Sequence, residues 1–139
     1  MRKLLLGGGI LPLMLLLLSA CGKKVEMDPV LYESDTVALM VKGKTVFTYD
    51  EGTMQLGFNR VQRQFRAGND DMTSYFVLTC SELPREEGQE LKADVQWGSG
   101  NSGKTSSGLT FKVEKYESTG LVWLWCAADK TGAVVRILN

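Results

Sequence analysis

Leu91-Lys92-Ala93-Asp94-Val95-Gln96-Trp97 alternates apolar with polar or charged side chains from end to end. In an extended chain successive side chains point to opposite faces, so this pattern sets one face on a core and the other in water. Leu109-Thr110-Phe111-Lys112-Val113-Glu114 repeats the pattern. Residues 98–108, between the two runs, are Gly, Ser, Asn, Lys and Thr, which is loop composition. The runs therefore read as neighbouring strands of an antiparallel sheet.

The same signals recur in both directions. Downstream, Ser118-Thr119-Gly120 turns the chain into the very apolar stretch 121–127, and a second turn at 129–132 leads to a last strand at 133–138. Upstream, 83–88 is a loop behind a strand at 73–81, and Gly68-Asn69-Asp70-Asp71 is strong turn chemistry. Strands at 36–41, 45–49 and 53–58 are separated by turns at Lys42-Gly43-Lys44 and Asp50-Glu51-Gly52. Phe58, Val61 and Phe65 are spaced for one helical face, but an extended reading fits the turn and strand that follow, and is preferred. The expectation is an all-β fold: an antiparallel meander of about eight strands forming a small sandwich or barrel.

The N-terminus has a different character. Met1-Arg2-Lys3 precedes an apolar run at 4–18 broken only by Gly7, Gly8, Gly9 and Pro12. A cationic start before a short apolar run is the pattern of a secretory signal, and the run is too short for a comfortable membrane span. Leu18-Ser19-Ala20-Cys21 follows, and resembles the lipobox of bacterial lipoproteins. The resemblance covers residues 1–21. It implies cleavage before Cys21 and attachment of a diacylglycerol to its thiol, with two or three acyl chains holding the protein to a membrane. With a signal peptide at 1–20 so implied, the stretch 21–35, which has lysines, acids and a proline but no sustained periodicity, reads as a lipidated tether, and the β pattern defines a domain at 36–139. The expected location is the cell envelope, at the outer membrane for preference, with the leaflet left open.

Composition narrows the function. Removing Arg2 and Lys3 from the 16 basic residues leaves 14 against 16 acidic ones, a mature net charge of −2. Such a balance points away from nucleic acid and from a dedicated anionic-lipid surface. The chain has no histidine, which removes the commonest general base and metal ligand. No catalytic constellation is expected, and no cofactor or metal. Gly98-Ser99-Gly100-Asn101-Ser102-Gly103-Lys104-Thr105 fits the phosphate-loop string, but that motif must open a helix, and here a period-two run follows. No nucleotide is expected.

Candidate binding residues are few. Trp123 and Trp125 share one face of a strand whose other face (Val122, Leu124, Cys126) is also apolar; either the tryptophans fill the core and the smaller face packs under a loop, which is preferred, or one set is exposed or lines a groove as a binding surface. Arg60, Arg63 and Arg66 form a candidate basic patch, and Glu82, Glu86, Glu87 and Glu90 read as a solvated acidic loop. Cys80 and Cys126 either bridge, as an oxidising compartment permits, or remain buried thiols. The leading expectation is a non-catalytic envelope module that binds a protein or glycan partner. The alternatives are an inhibitor of a lysozyme-type cell-wall hydrolase and a small-ligand barrel of lipocalin type.

Overall fold

A computed structural model describes residues 25–99 and 102–139. The signal peptide and Cys21 lie outside the described residues. A short helix, α1 (Pro29–Tyr32), is followed by nine strands: β1 (Ala38–Val41), β2 (Lys44–Thr48), β3 (Gln55–Asn59), β4 (Gln64–Gly68), β5 (Tyr75–Cys80), β6 (Glu90–Ser99), β7 (Ser102–Tyr116), β8 (Leu121–Cys126) and β9 (Thr131–Arg136). They form one antiparallel sheet in the order β2-β1-β9-β8-β7-β6-β5-β4-β3, curled into a half-barrel.

The curl follows from chain length. Nine flat strands at about 4.8 Å spacing would set the edges some 38 Å apart. Residues 49–54 join edge strand β2 to edge strand β3 and reach about 25 Å at most. The sheet must therefore bend, and Phe47 on β2 meets Phe76 on β5 across the interior, with ring centroids 5.0 Å apart. Parity keeps the half-barrel open. Every ladder is antiparallel, so an odd number of strands leaves β2 and β3 running in the same sense. They cannot close by antiparallel pairing, and a parallel pairing needs a crossover of about a dozen residues, more than this link supplies.

Strand register defines the interior. Leu78 pairs with Val95 and Cys80 with Ala93, while Ala93 pairs with Leu109, Val113 with Leu124 and Leu39 with Phe47. Phe65, Phe76, Leu78, Val95, Phe111 and Leu124 are all fully buried there. The period-two runs thus face the interior as their pattern requires.

The opposite face of β8, β9 and β1 is also covered. Every residue of β1 and β8 is buried, as is every residue of β9 except Arg136. The cover is the N-terminal segment itself. Asp28 caps α1 by accepting from the Val30 N–H at 2.9 Å, and Pro29 occupies the first turn, where its missing N–H costs nothing. Met27 and Leu31 are buried, and α1 packs on β1 and β9. Lys115 pins the segment: its Nζ donates to the Tyr32 carbonyl at 3.3 Å and lies 4.3 Å and 4.2 Å from the Tyr32 and Trp123 ring centroids. The stretch read as tether is therefore part of the fold from Met27 onward.

Two further readings are corrected. Residues 60–63 form a hairpin turn between β3 and β4 rather than part of a strand. Val61 is 85% exposed there, and Arg63 has φ +55°. The expected loop at 98–108 is mostly strand, with only residues 100 and 101 between β6 and β7. Gly98 pairs with Gly103, and the Tyr75 ring lies against both, close enough that a Cβ on either would meet it at 2.9–3.1 Å. The tyrosine supplies the packing that the glycines lack.

Candidate functional site

The residues singled out in the sequence do not converge. Trp123 and Trp125 do share a face, as period two requires, but that face is the one covered by α1, and both rings are buried. They form a second packed layer, not a groove. The three arginines separate. Arg63 donates through Nε to the Cys80 carbonyl at 2.9 Å and through Nη1 to the Val61 carbonyl at 3.1 Å, which holds the turn. Arg60 lies 5.4 Å from the Phe58 ring centroid. Arg66 sits in a shallow depression beside Tyr75 and Asp70.

Cys80 and Cys126 are both free and buried. They stand on β5 and β8, with β6 and β7 between them, so the bridge is not formed. Burial pushes the Cys80 thiol from 9.0 up to about 12, against the opposing pull of the Arg63 charge. The thiolate is the reactive form, so Cys80 is expected to resist iodoacetamide at pH 8 in the native protein, and burial alone is expected to keep the reagent from Cys126. After denaturation without reductant, both should alkylate. A mass showing neither modified would mean a disulfide.

The acidic stretch is a solvated loop with its own order. The Gln89 side chain accepts from the Arg85 N–H at 2.6 Å and donates to Glu82 Oε1 at 2.8 Å and to the Leu83 carbonyl at 2.9 Å. In the phosphate-loop string, Gly98 and Ser99 end β6 and residues 102–105 begin β7, a strand where that motif needs a helix. Among the described residues no group of three or more His, Cys, Asp or Glu side chains is placed to hold a metal.

Sequence reading missed the site that the topology assembles. The β1–β2 hairpin and the outer arm of the β6–β7 hairpin face each other across a cleft of about 590 Å³. Its walls are Val41, Val46 and the half-buried Trp97, and its cations are Lys42, Lys44 and Lys104. The lining carries no carboxylate. The depressions around Arg66 and Arg136, by contrast, include Asp70 in one and Asp35, Asp50 and Glu51 in the other.

Local chemistry fixes both walls. Lys42 and Gly43 both have positive φ, +51° and +83°, the signature of the type I′ turn that matches strand twist. The Lys42 N–H donates to Thr131 Oγ1 at 3.2 Å and the Gly43 N–H to the Lys130 carbonyl at 2.8 Å, so the turn is braced on the β8–β9 connection. On the other wall the register slips between Ala93 and Val95, and Asp94 Oδ1 accepts from the Gly108 N–H at 2.7 Å. β1–β2 has its own slip, between Leu39 and Met40. Bulges bend a strand and re-aim its side chains, and here one stands behind each wall. Among the described residues no ion pair engages Lys42, Lys44 or Lys104. The arrangement offers three ammonium groups beside an indole face, which suits an anion attached to an apolar or ring-shaped body.

Comparisons with protein-family models, with curated proteins and with solved structures find no match.

Proposed function

We propose that the protein is a non-catalytic lipoprotein of the bacterial cell envelope, anchored through Cys21, that binds an anionic ligand with a sugar or polyol body at the cleft between its β1–β2 and β6–β7 hairpins. The observation that carries the reading is Trp97 standing half-buried among three lysines with no carboxylate in the lining. An indole face stacks on a sugar ring, and the lysines meet its carboxylate or phosphate groups. The absence of histidine from the chain argues in the same direction, toward binding rather than catalysis. The half-barrel interior is filled by Phe65, Phe76, Phe111 and their neighbours, which leaves the lipocalin-type alternative without support.

Two measurements test it. Cells fed a labelled fatty acid should label the wild-type chain, and Cys21→Ser should lose both the label and membrane retention. Unlabelled wild type would end the lipoprotein reading. Titration with uronic-acid oligosaccharides should change the tryptophan fluorescence, and Trp97→Ala should lose about 1 kcal/mol of binding or more, the loss that marks an anchoring residue at an interface. Affinity unchanged by Trp97→Ala would remove the cleft from consideration.

A further inference from the structure

The cleft lies at the same end of the half-barrel as the start of the described chain. Glu26 and Met27 border a depression with Gly43, Ala127 and Lys130, directly beside the Lys42-Gly43-Lys44 turn. Only Gly22, Lys23 and Lys24 stand between Cys21 and Val25. Even fully extended, that length reaches about 14 Å. A lipid on Cys21 would therefore hold this end of the domain within about 14 Å of the bilayer surface, because α1 is already packed into the fold. From this geometry we infer that the cleft is turned toward the membrane that carries the anchor, and that its ligand is the layer of anionic, phosphate-bearing lipid headgroups there.

The inference rests on the reading of Cys21 as lipidated and of the cleft as the binding face. Charge supports it: Lys42, Lys44 and Lys104 lie at this end, with Lys23 and Lys24 adjacent in sequence. Val46, 40% exposed, and Trp97 give the rim the apolar and indole character found at membrane interfaces. Of the carboxylates nearby, Asp28 accepts from the Val30 N–H, Asp129 Oδ2 accepts from the Thr131 hydroxyl at 2.9 Å, and Glu26 is exposed on the far side of the turn, but none of the three lines the cleft. The mature net charge of −2 hides this separation.

The test uses the whole mature chain with Cys21→Ser, so that the anchor contributes nothing, and vesicles of phosphatidylcholine with or without phosphatidylglycerol. Sedimentation with the anionic vesicles alone is expected, weakening as salt screens the charges. Each Lys→Gln change at 42, 44 and 104 should weaken binding about fivefold, and the triple variant roughly a hundredfold. Lys92→Gln, on the exposed face of β6, should change nothing. Equal binding to both vesicle types, or a triple variant that binds like wild type, overturns the inference. Displacement of the protein by inorganic phosphate assigns the cleft to a soluble anion and also overturns it. The oligosaccharide titration and the fatty-acid labelling are independent of the vesicles, so the proposed function stands or falls separately.

Discussion

Trp123→Ala is expected to lower the unfolding free energy by about 3–5 kcal/mol, the usual loss for truncating a fully buried large aromatic. Trp123 is 1% exposed and lies on the outer face of β8, beneath the N-terminal segment. Its ring also carries the Lys115 ammonium at 4.2 Å, which in turn holds Tyr32. Truncation would thus leave a cavity and loosen the clasp together. A domain of this size has about 5–15 kcal/mol in hand, so the loss should be plain in a urea melt. Trp123→Phe should cost far less. The indole Nε1 is buried with no hydrogen-bond partner among the described residues, and phenylalanine removes that donor. Burying an unsatisfied donor costs about 1–3 kcal/mol, which offsets part of the lost area. An alanine variant within about 1 kcal/mol of wild type would show that the outer layer is not a packed one, since a ring that truncation leaves nearly neutral was never enclosed.

Why Trp123 and Trp125 read as candidates for exposure is instructive. Period two correctly placed both on one face. The stretch 121–126 is apolar on both faces, and a single thin core can absorb only one. The cover comes from α1, only four residues long, which is too short to show any periodicity. The signal that sequence reading passed over is Asp28-Pro29, a cap followed by a proline at the first helical position. The interior strands were legible because Leu91–Trp97 and 109–113 each have one wetter face; the alternation ends at Glu114, which is buried where the register slips. The cysteine pairing was not, because it depends on strand order, and Cys80 and Cys126 end strands with two others between them. The cleft was the least legible of all. Lys42, Lys44, Trp97 and Lys104 are scattered along the chain, and only a curled sheet of this order brings the two hairpins face to face. Even the phosphate-loop string had a physical meaning there: its glycines let a strand pass beneath Tyr75, and its lysine faces the cleft.

The outer layer makes a second large prediction, at Gly132. This glycine pairs with Trp125 on β8 and with Met40 on β1. A Cβ added there would come within 2.6 Å of Trp125 Cε3, 2.7 Å of Leu31 Cδ2 and 2.8 Å of the Leu124 carbonyl oxygen. One of the three is backbone and cannot step aside. Gly132→Val is therefore expected to cost about 3 kcal/mol or more, at the upper end for overpacking. The relief with the lowest barrier is to lift Leu31, and α1 with it, off the sheet, so the tryptophan emission should shift to the red as Trp123 and Trp125 meet water. A double-mutant cycle separates this from a simple clash within β9. Leu31→Ala alone should cost about 2–5 kcal/mol, yet combined with Gly132→Ala it should cost less than the sum, by about 0.5–3 kcal/mol, because the methyl that clashes is gone. Additive losses would mean that Leu31 is not seated over Gly132. The N-terminal segment would then be a leash and not a wall of the fold, and the short reach between lipid and cleft would go with it.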